Sequence, residues 1–148
     1  MATDIIRILL ADSRAANRKI FRTAFETVKI ANTVQTVTNA DELLQVLKDP
    51  YSPPPHLLFL DLRMPGKLAI DKLIALRTVE RLADLTLVIY SSYASEEEIS
   101  MSFIQGANIY MSQPPDTKEL NKKLLEILTI NWQYQTSGLD RENYLFHF

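Results

Sequence analysis

The sequence predicts a doubly wound α/β domain, with five parallel strands in the order 2-1-3-4-5 and helices on both faces. Three observations predict it. Short, almost wholly apolar runs recur along the chain. Each is followed by a longer segment whose apolar residues fall at helical spacing. No internal repeat divides the 148 residues, a length suited to one core. Apolar strands alternating with amphipathic helices imply a parallel sheet covered on both sides. Right-handed crossovers then leave a doubly wound sheet, and this order is one of its two common forms.

Ile5 to Ala11 reads as the first buried strand. Arg14 to Val28 places Ala16, Ile20, Phe21, Ala24, Phe25 and Val28 on one stripe, which predicts a helix. Thr33 to Val37 alternates and is β-branched, a second strand. Asn39 is the expected cap of the next helix, with Glu42 completing a capping box and Leu43, Leu44 and Leu47 on the buried face. Asp49 to Pro55 is a proline-rich surface loop, because proline bars both helix and ladder pairing. Leu57 to Leu60 is a wholly apolar strand ending at Asp61. Ile70 to Val79 reads as a helix and Leu85 to Tyr90 as the fourth strand. Ser95-Glu96-Glu97-Glu98 opens a helix with acids where they suit the dipole, and Gly106 ends it. Ile109 to Met111 is a short fifth strand, and Thr117 to Leu128 the last amphipathic helix. The remainder holds Trp132, Tyr134, Tyr144, Leu145, Phe146 and Phe148, too aromatic for a solvated linker. The expected organisation is a domain of residues 1–129 and a tail, 130–148, packed on that domain or on a partner.

Composition narrows the chemistry. There is no cysteine, and His56 and His147 are the only histidines. Disulfides, thiolate metal sites and a His-rich zinc site are thereby excluded. A net charge of −2 supplies no bulk attraction for nucleic acid or an anionic membrane. The apolar run at Ile5 to Leu10 is interrupted by Arg7, is too short to span a bilayer, and lacks a small-residue cleavage site. The expectation is a cytoplasmic protein with neither nucleic acid nor membrane as partner. With only Gly66, Gly106 and Gly138, there is no glycine-rich phosphate loop, which argues against dinucleotide binding and P-loop hydrolysis.

In doubly wound sheets ligands sit outside the carboxyl ends of the strands. The residues predicted there are Asp12, Asp61, Ser91-Ser92 and Gln113-Pro114. Two adjacent carboxylates favour a hard cation such as Mg²⁺. A carboxylate beside such a cation can act as a nucleophile toward a phosphoryl donor, with a hydroxyl to receive the group. Each aspartate has a plainer use as a helix cap or turn former. That use suits Asp12, before Ser13-Arg14, better than Asp61, a charge placed directly after four apolar residues.

Four blocks carry a resemblance: Ile8 to Asp12, Leu58 to Gly66 with its L-D-L-x-M-P pattern, Val88 to Ser92, and Gly106 to Pro114. Over about residues 5–128 the chain resembles bacterial response-regulator receiver domains, the phosphorelay modules of two-component signalling. That family has a flavodoxin-like fold. The resemblance implies that Asp61 is the phosphoacceptor, that Asp12 belongs to the acidic metal-binding set, and that Arg63 offers its backbone carbonyl to Mg²⁺. It implies that Ser91 binds the phosphoryl group, that Tyr110 is the aromatic switch alongside Ser91, and that Pro114 follows a cis bond.

The chain departs from the family at two site positions. Ser13 stands in place of the second acid, and Gln113 in place of the lysine that pairs with the phosphoryl group. Losing a partner from a charged site commonly costs roughly 2–5 kcal/mol. The resemblance therefore implies a degenerate site, with Mg²⁺ binding weak or absent because of Ser13. The leading expectation is a stand-alone, non-enzymatic receiver that docks to proteins when Asp61 is phosphorylated. Its partners would be a sensor histidine kinase or phosphotransfer protein, a downstream protein, and a second copy in a homodimer. The alternative is a pseudo-receiver that binds proteins without phosphorylation. An aspartate-nucleophile phosphatase is disfavoured, because arginine follows where a D-x-D signature needs its second acid (Asp12-Ser13-Arg14, Asp61-Leu62-Arg63).

Overall fold

The computed structural model describes residues 5–63, 82, 84–92, 94–104, 106–114, 116–137 and 146–147, with side chains as far as Thr129. The expected helix at Ile70 to Val79 and the Met64-Pro65-Gly66 block lie outside the described residues. The strands are β1 (Ile6–Ala11), β2 (Asn32–Val37), β3 (Leu57–Leu60), β4 (Thr86–Ser91), β5 (Ile109–Ser112) and β6 (Phe146–His147). The helices are α1 (Ala15–Glu26), α2 (Ala40–Lys48), α3 (Glu96–Ile104) and α4 (Thr117–Ser137). All pairings are parallel, in the order β2-β1-β3-β4-β5-β6. The predicted 2-1-3-4-5 sheet is present, with one short strand added beyond β5.

Side chains alternate between two cores, as the period of a strand requires. Ile8, Leu10, Leu57, Phe59, Val88, Tyr90, Ile109 and Met111 face α1 and α4, meeting Phe21, Phe25, Leu120, Leu124 and Leu128. Leu9, Ala11, Leu58, Leu60, Leu87, Ile89 and Tyr110 face the other way, toward Leu43 and Leu47 of α2 and Ile99 and Phe103 of α3. Every residue of β3 and β4 is buried, which is why those runs carry no polar alternation. β2 alternates because it is an edge strand.

Local signals hold in detail. The Asn39 side chain accepts from the Glu42 N–H at 2.9 Å. The Glu42 carboxylate reaches one residue past the cap, to the Thr38 N–H at 2.9 Å, a displaced form of the capping box. Gly106 ends the α3 segment at φ 114°, a conformation that a Cβ would oppose. Asn108 is buried, and its Oδ1 accepts from Leu87 N–H while its own N–H donates to Leu87 O, both at 2.9 Å. This pins the start of β5 to β4. Asn121 of α4 donates to Ala24 O and Thr27 Oγ1 at the end of α1.

Two expectations are corrected. Ala16 is exposed at the start of α1 rather than part of its buried stripe. The last helix continues past Leu128 to Ser137. No glycine or proline interrupts residues 129–137, and Gly138 follows.

Candidate functional site

Three backbone hydrogen bonds carry the ladder one residue beyond the strands. The N–H of Asp12 donates to Val37 O at 3.1 Å, that of Asp61 to Ala11 O at 3.0 Å, and that of Gln113 to Ser91 O at 3.0 Å. The sheet register therefore seats all three residues on one rim. Ser91 ends β4 fully buried, opposite Ser112 of β5.

The two carboxylates begin alike. Asp12 Oδ1 accepts from the Arg14 N–H at 2.8 Å, and Asp61 Oδ1 from the Arg63 N–H at 2.9 Å. Both are local turns of the kind aspartate forms with the backbone two residues on. They differ at the second oxygen. Asp12 Oδ2 accepts from Asn17 Nδ2 at 3.1 Å and, at the limit of range, from Gln113 Nε2 at 3.4 Å. The Asp12 carbonyl accepts from Arg18 at 3.0 Å. Asp61 Oδ2 is buried without a hydrogen bond. Asp12 is thus occupied in organising the rim, whereas Asp61 keeps one carboxylate oxygen uncommitted. An unpaired buried acceptor is costly and marks a place where chemistry or a ligand supplies the partner. Burial pushes the Asp61 carboxyl above its ordinary range. The Arg63 N–H opposes that shift, the Asp12 charge adds to it, and the Arg14 and Arg63 charges oppose it.

Gln113 fills the centre. Its Oε1 accepts from Arg14 at 3.0 Å and Asn17 at 3.1 Å, while its Nε2 donates to Asp12 and to Tyr90 O at 3.3 Å. The Gln113–Pro114 bond is trans, not the cis bond implied by resemblance. Trans is the default for X–Pro by about 0.5–1 kcal/mol, and Gln113 reaches all its partners from that backbone.

Arg14 and Asn17 were not legible as site residues. They lie at the cap and in the first turn of α1, and their role depends on a glutamine nearly a hundred positions away. The Arg14 guanidinium is half exposed and lies 3.7 Å from Asp61 Oδ2 and 3.9 Å from Asp12 Oδ1. Ser13 sits half-buried between Asp12 and Arg14.

The remaining candidates turn toward α3. Arg63 places its guanidinium on Glu98. Tyr110 is buried among the residues facing α2 and α3. Its phenol is raised by burial and by the nearby Glu98 charge, against the pull of Arg63. The sheet therefore brings Asp12, Asp61, Ser91 and Gln113 to one rim and sets Tyr110 behind it.

The chain is similar to known proteins in sequence and in fold. The model of the response regulator receiver domain matches residues 8–125. The chemotaxis protein CheY of Pseudomonas aeruginosa is 28% identical over 122 residues, covering 82% of this chain and 95% of the other. The phosphorylated cyanobacterial phytochrome response regulator RcpA superposes with a TM-score of 0.74 at 20% identity, covering 93% of this chain and 98% of that one. The Mn²⁺-bound form of response regulator Rcp1 superposes with a TM-score of 0.72 at 21% identity, covering 84% and 92%. At those identities the structural likeness speaks for the fold.

Proposed function

The chain belongs to the response regulator receiver domains of two-component signalling, and on that premise we propose that Asp61 is its phosphoacceptor. The observation that carries the proposal is the uncommitted Asp61 Oδ2, beside an Oδ1 fixed by the Arg63 N–H. In the transfer, Oδ2 attacks the phosphorus of a phosphohistidine or small phosphodonor. An O–P bond forms as the donor's N–P or O–P bond breaks, and the leaving group departs with the electron pair and takes up a proton. The product is an acyl phosphate on Asp61, with the buried Ser91 assigned to bind the phosphoryl group. RcpA, described as phosphorylated, supports the reading by its fold.

Receiver domains exchange phosphoryl groups with histidine kinases or phosphotransfer proteins and signal by docking to other proteins. The same partners are proposed here, with Tyr110 and Ser91 as the residues that report modification. A second copy of the chain is a further proposed partner. No described helix is long and apolar enough to cross a membrane.

Receiver domains generally bind Mg²⁺, and Rcp1 is described with Mn²⁺. The residues of this rim do not fit that ion well. Ser13 offers a neutral hydroxyl where a carboxylate is needed, and a guanidinium already stands between the two aspartates. Among the described residues no cluster of three or more His, Cys, Asp or Glu side chains is placed to hold a metal.

Incubation with acetyl phosphate or phosphoramidate, followed by intact mass measurement, tests the proposal. The expected result is a single phosphoryl adduct, absent from Asp61→Asn. A second reading, protein docking without phosphorylation, draws on the closed network around Gln113, which holds Arg14, Asn17 and Asp12 together with no added group. No adduct under any condition would favour it.

A further inference from the structure

We propose that Arg14 is the resident cation of this rim: its guanidinium replaces both the divalent ion and the missing lysine, and it pairs with the phosphoryl group on Asp61. The second half rests on Asp61 as phosphoacceptor; the first half does not.

The placement is built rather than incidental. Arg14 is the extended cap residue of α1, and its N–H is held by Asp12 Oδ1 at 2.8 Å, so its side chain starts at the rim. The guanidinium then meets three partners from three strand ends. It lies 3.9 Å from Asp12, 3.7 Å from Asp61 Oδ2 and 3.0 Å from Gln113 Oε1. Two carboxylates stand within 4 Å of one guanidinium, and a positive charge beside both offsets their like charge. A metal would have to displace that charge before binding.

Gln113 is matched to this arrangement. Its acceptor oxygen faces Arg14 and Asn17, and its donor nitrogen faces Asp12 and Tyr90 O. Lysine has three donors and no acceptor, so it could not receive the Arg14 bond and would set two cations together. The positive charge has moved from the end of β5 to the start of α1, and the neutral amide at 113 orients it.

The distances also suit an incoming anion. At 3.7 Å Arg14 makes no hydrogen bond to Asp61 Oδ2, the oxygen proposed as nucleophile. Its remaining N–H donors are available to phosphoryl oxygens in a fork geometry. Being half exposed, it can follow the charge outward as the group is added.

The test uses the full chain in two arms. In the first, Mg²⁺ and Mn²⁺ are titrated by calorimetry into the wild type, Arg14→Ala and Arg14→Lys. Arg14→Ala should bind either ion about tenfold or more tighter than the wild type, and Arg14→Lys should stay like the wild type. Equal affinity in all three overturns the resident-cation assignment, whatever Asp61 does. In the second arm, adduct yield from phosphoramidate is measured with Mg²⁺ and with EDTA. The wild type should label equally in both, and Arg14→Ala should fall about tenfold in EDTA. An unchanged yield for Arg14→Ala in EDTA overturns the phosphoryl-pairing half. If no variant labels while Arg14→Ala gains metal affinity, the cation assignment stands and the phosphoacceptor reading fails with the phosphoryl-pairing half.

Discussion

Arg63 grips both carboxylate oxygens of Glu98, at 2.9 and 3.0 Å, and so ties the loop after β3 to the first turn of α3. Its own N–H holds Asp61, two residues away. One residue thus touches both the proposed phosphoacceptor and the helix beside Tyr110. Any group that draws the Arg63 guanidinium toward Asp61 must loosen Glu98, which supplies a physical route from the rim to α3.

The pH dependence of this pair follows from Glu98. Hydrogen bonding from Arg63, with help from Ser95, holds its carboxyl below the ordinary 4.5. A depressed carboxylate contributes stability that is present above the unfolded value and is lost as pH falls through the folded one. The gap in Tm between wild type and Glu98→Gln should therefore be level above about pH 4.5 and close in more acid solution. It should be small, since both side chains are well exposed. Thermal melts across pH 3–7 check this; a gap that widens toward acid would refute it.

Asp61→Asn should raise stability at neutral pH. Burial pushes the carboxyl up, so the folded state holds its proton more tightly than the unfolded chain. Stability then falls as pH rises from the unfolded value through the folded one, and at neutrality the ionised Oδ2, buried without a hydrogen bond, is a net cost. Asparagine removes that charge. A gain of 1 kcal/mol would appear as a Tm rise of about 2–4 °C in a chain of this size. A lowered Tm would show that Asp61 contributes to the fold through its charge.

Phe21 couples α1 to the strands that carry the site. Its ring lies 5.0 Å from Phe25, 5.0 Å from Phe59 and 5.8 Å from Tyr90, mostly edge to face. Phe59 is two residues before Asp61, and Tyr90 is next to Ser91. Phe21→Ala should cost about 3–5 kcal/mol in a urea titration. Phe21→Leu, which keeps most of the volume, should cost much less. Equal losses would mean that ring geometry, not cavity formation, dominates there.

Gln113→Lys alone should not restore a typical receiver site. It deletes the acceptor for Arg14 and Asn17 and brings a second cation beside the first. Adduct yield should stay level or fall. Combined with Arg14→Ala it should rise above either single variant, a non-additive pattern expected of groups in one network. Ser13→Asp should tighten Mg²⁺ binding most when Arg14 is also replaced, because a third carboxylate then has no guanidinium to compete with. Additive behaviour of Arg14 and Gln113 would show that they do not act as one unit.

What the sequence revealed depended on how local the cause was. The strands of the five-stranded sheet were legible because burial on both faces forces continuous apolar runs, as in Leu57 to Leu60. The α2 cap was legible because Asn39 and Glu42 lie three residues apart. The rim residues were legible as strand ends, but the division of labour between Asp12 and Asp61 was not. It turns on Asn17 and Gln113, whose contacts require the folded sheet. Arg14 entered only as the residue that breaks a D-x-D triplet, and nothing in the sequence near it pointed to Gln113. β6 was illegible because it is two residues long and is defined only by its partner strand.

That last strand supports a prediction about the tail, which we propose to be an ordered part of the domain. The backbone of Phe146–His147 pairs in parallel with Ile109 and Tyr110. Without it, β5 becomes the open edge of the sheet, presenting unpaired N–H and C=O groups. Such an edge invites pairing with another chain unless something covers it. Removing residues 138–148, after the end of α4, should therefore lower Tm and increase concentration-dependent association. Sedimentation or light scattering over a hundredfold range of concentration measures the association, and calorimetry the stability. Restoring only aromatic bulk should not rescue the effect, because β6 acts through main-chain bonds. A truncated chain that melts and sediments like the full one would leave β6 with no part in protecting the edge.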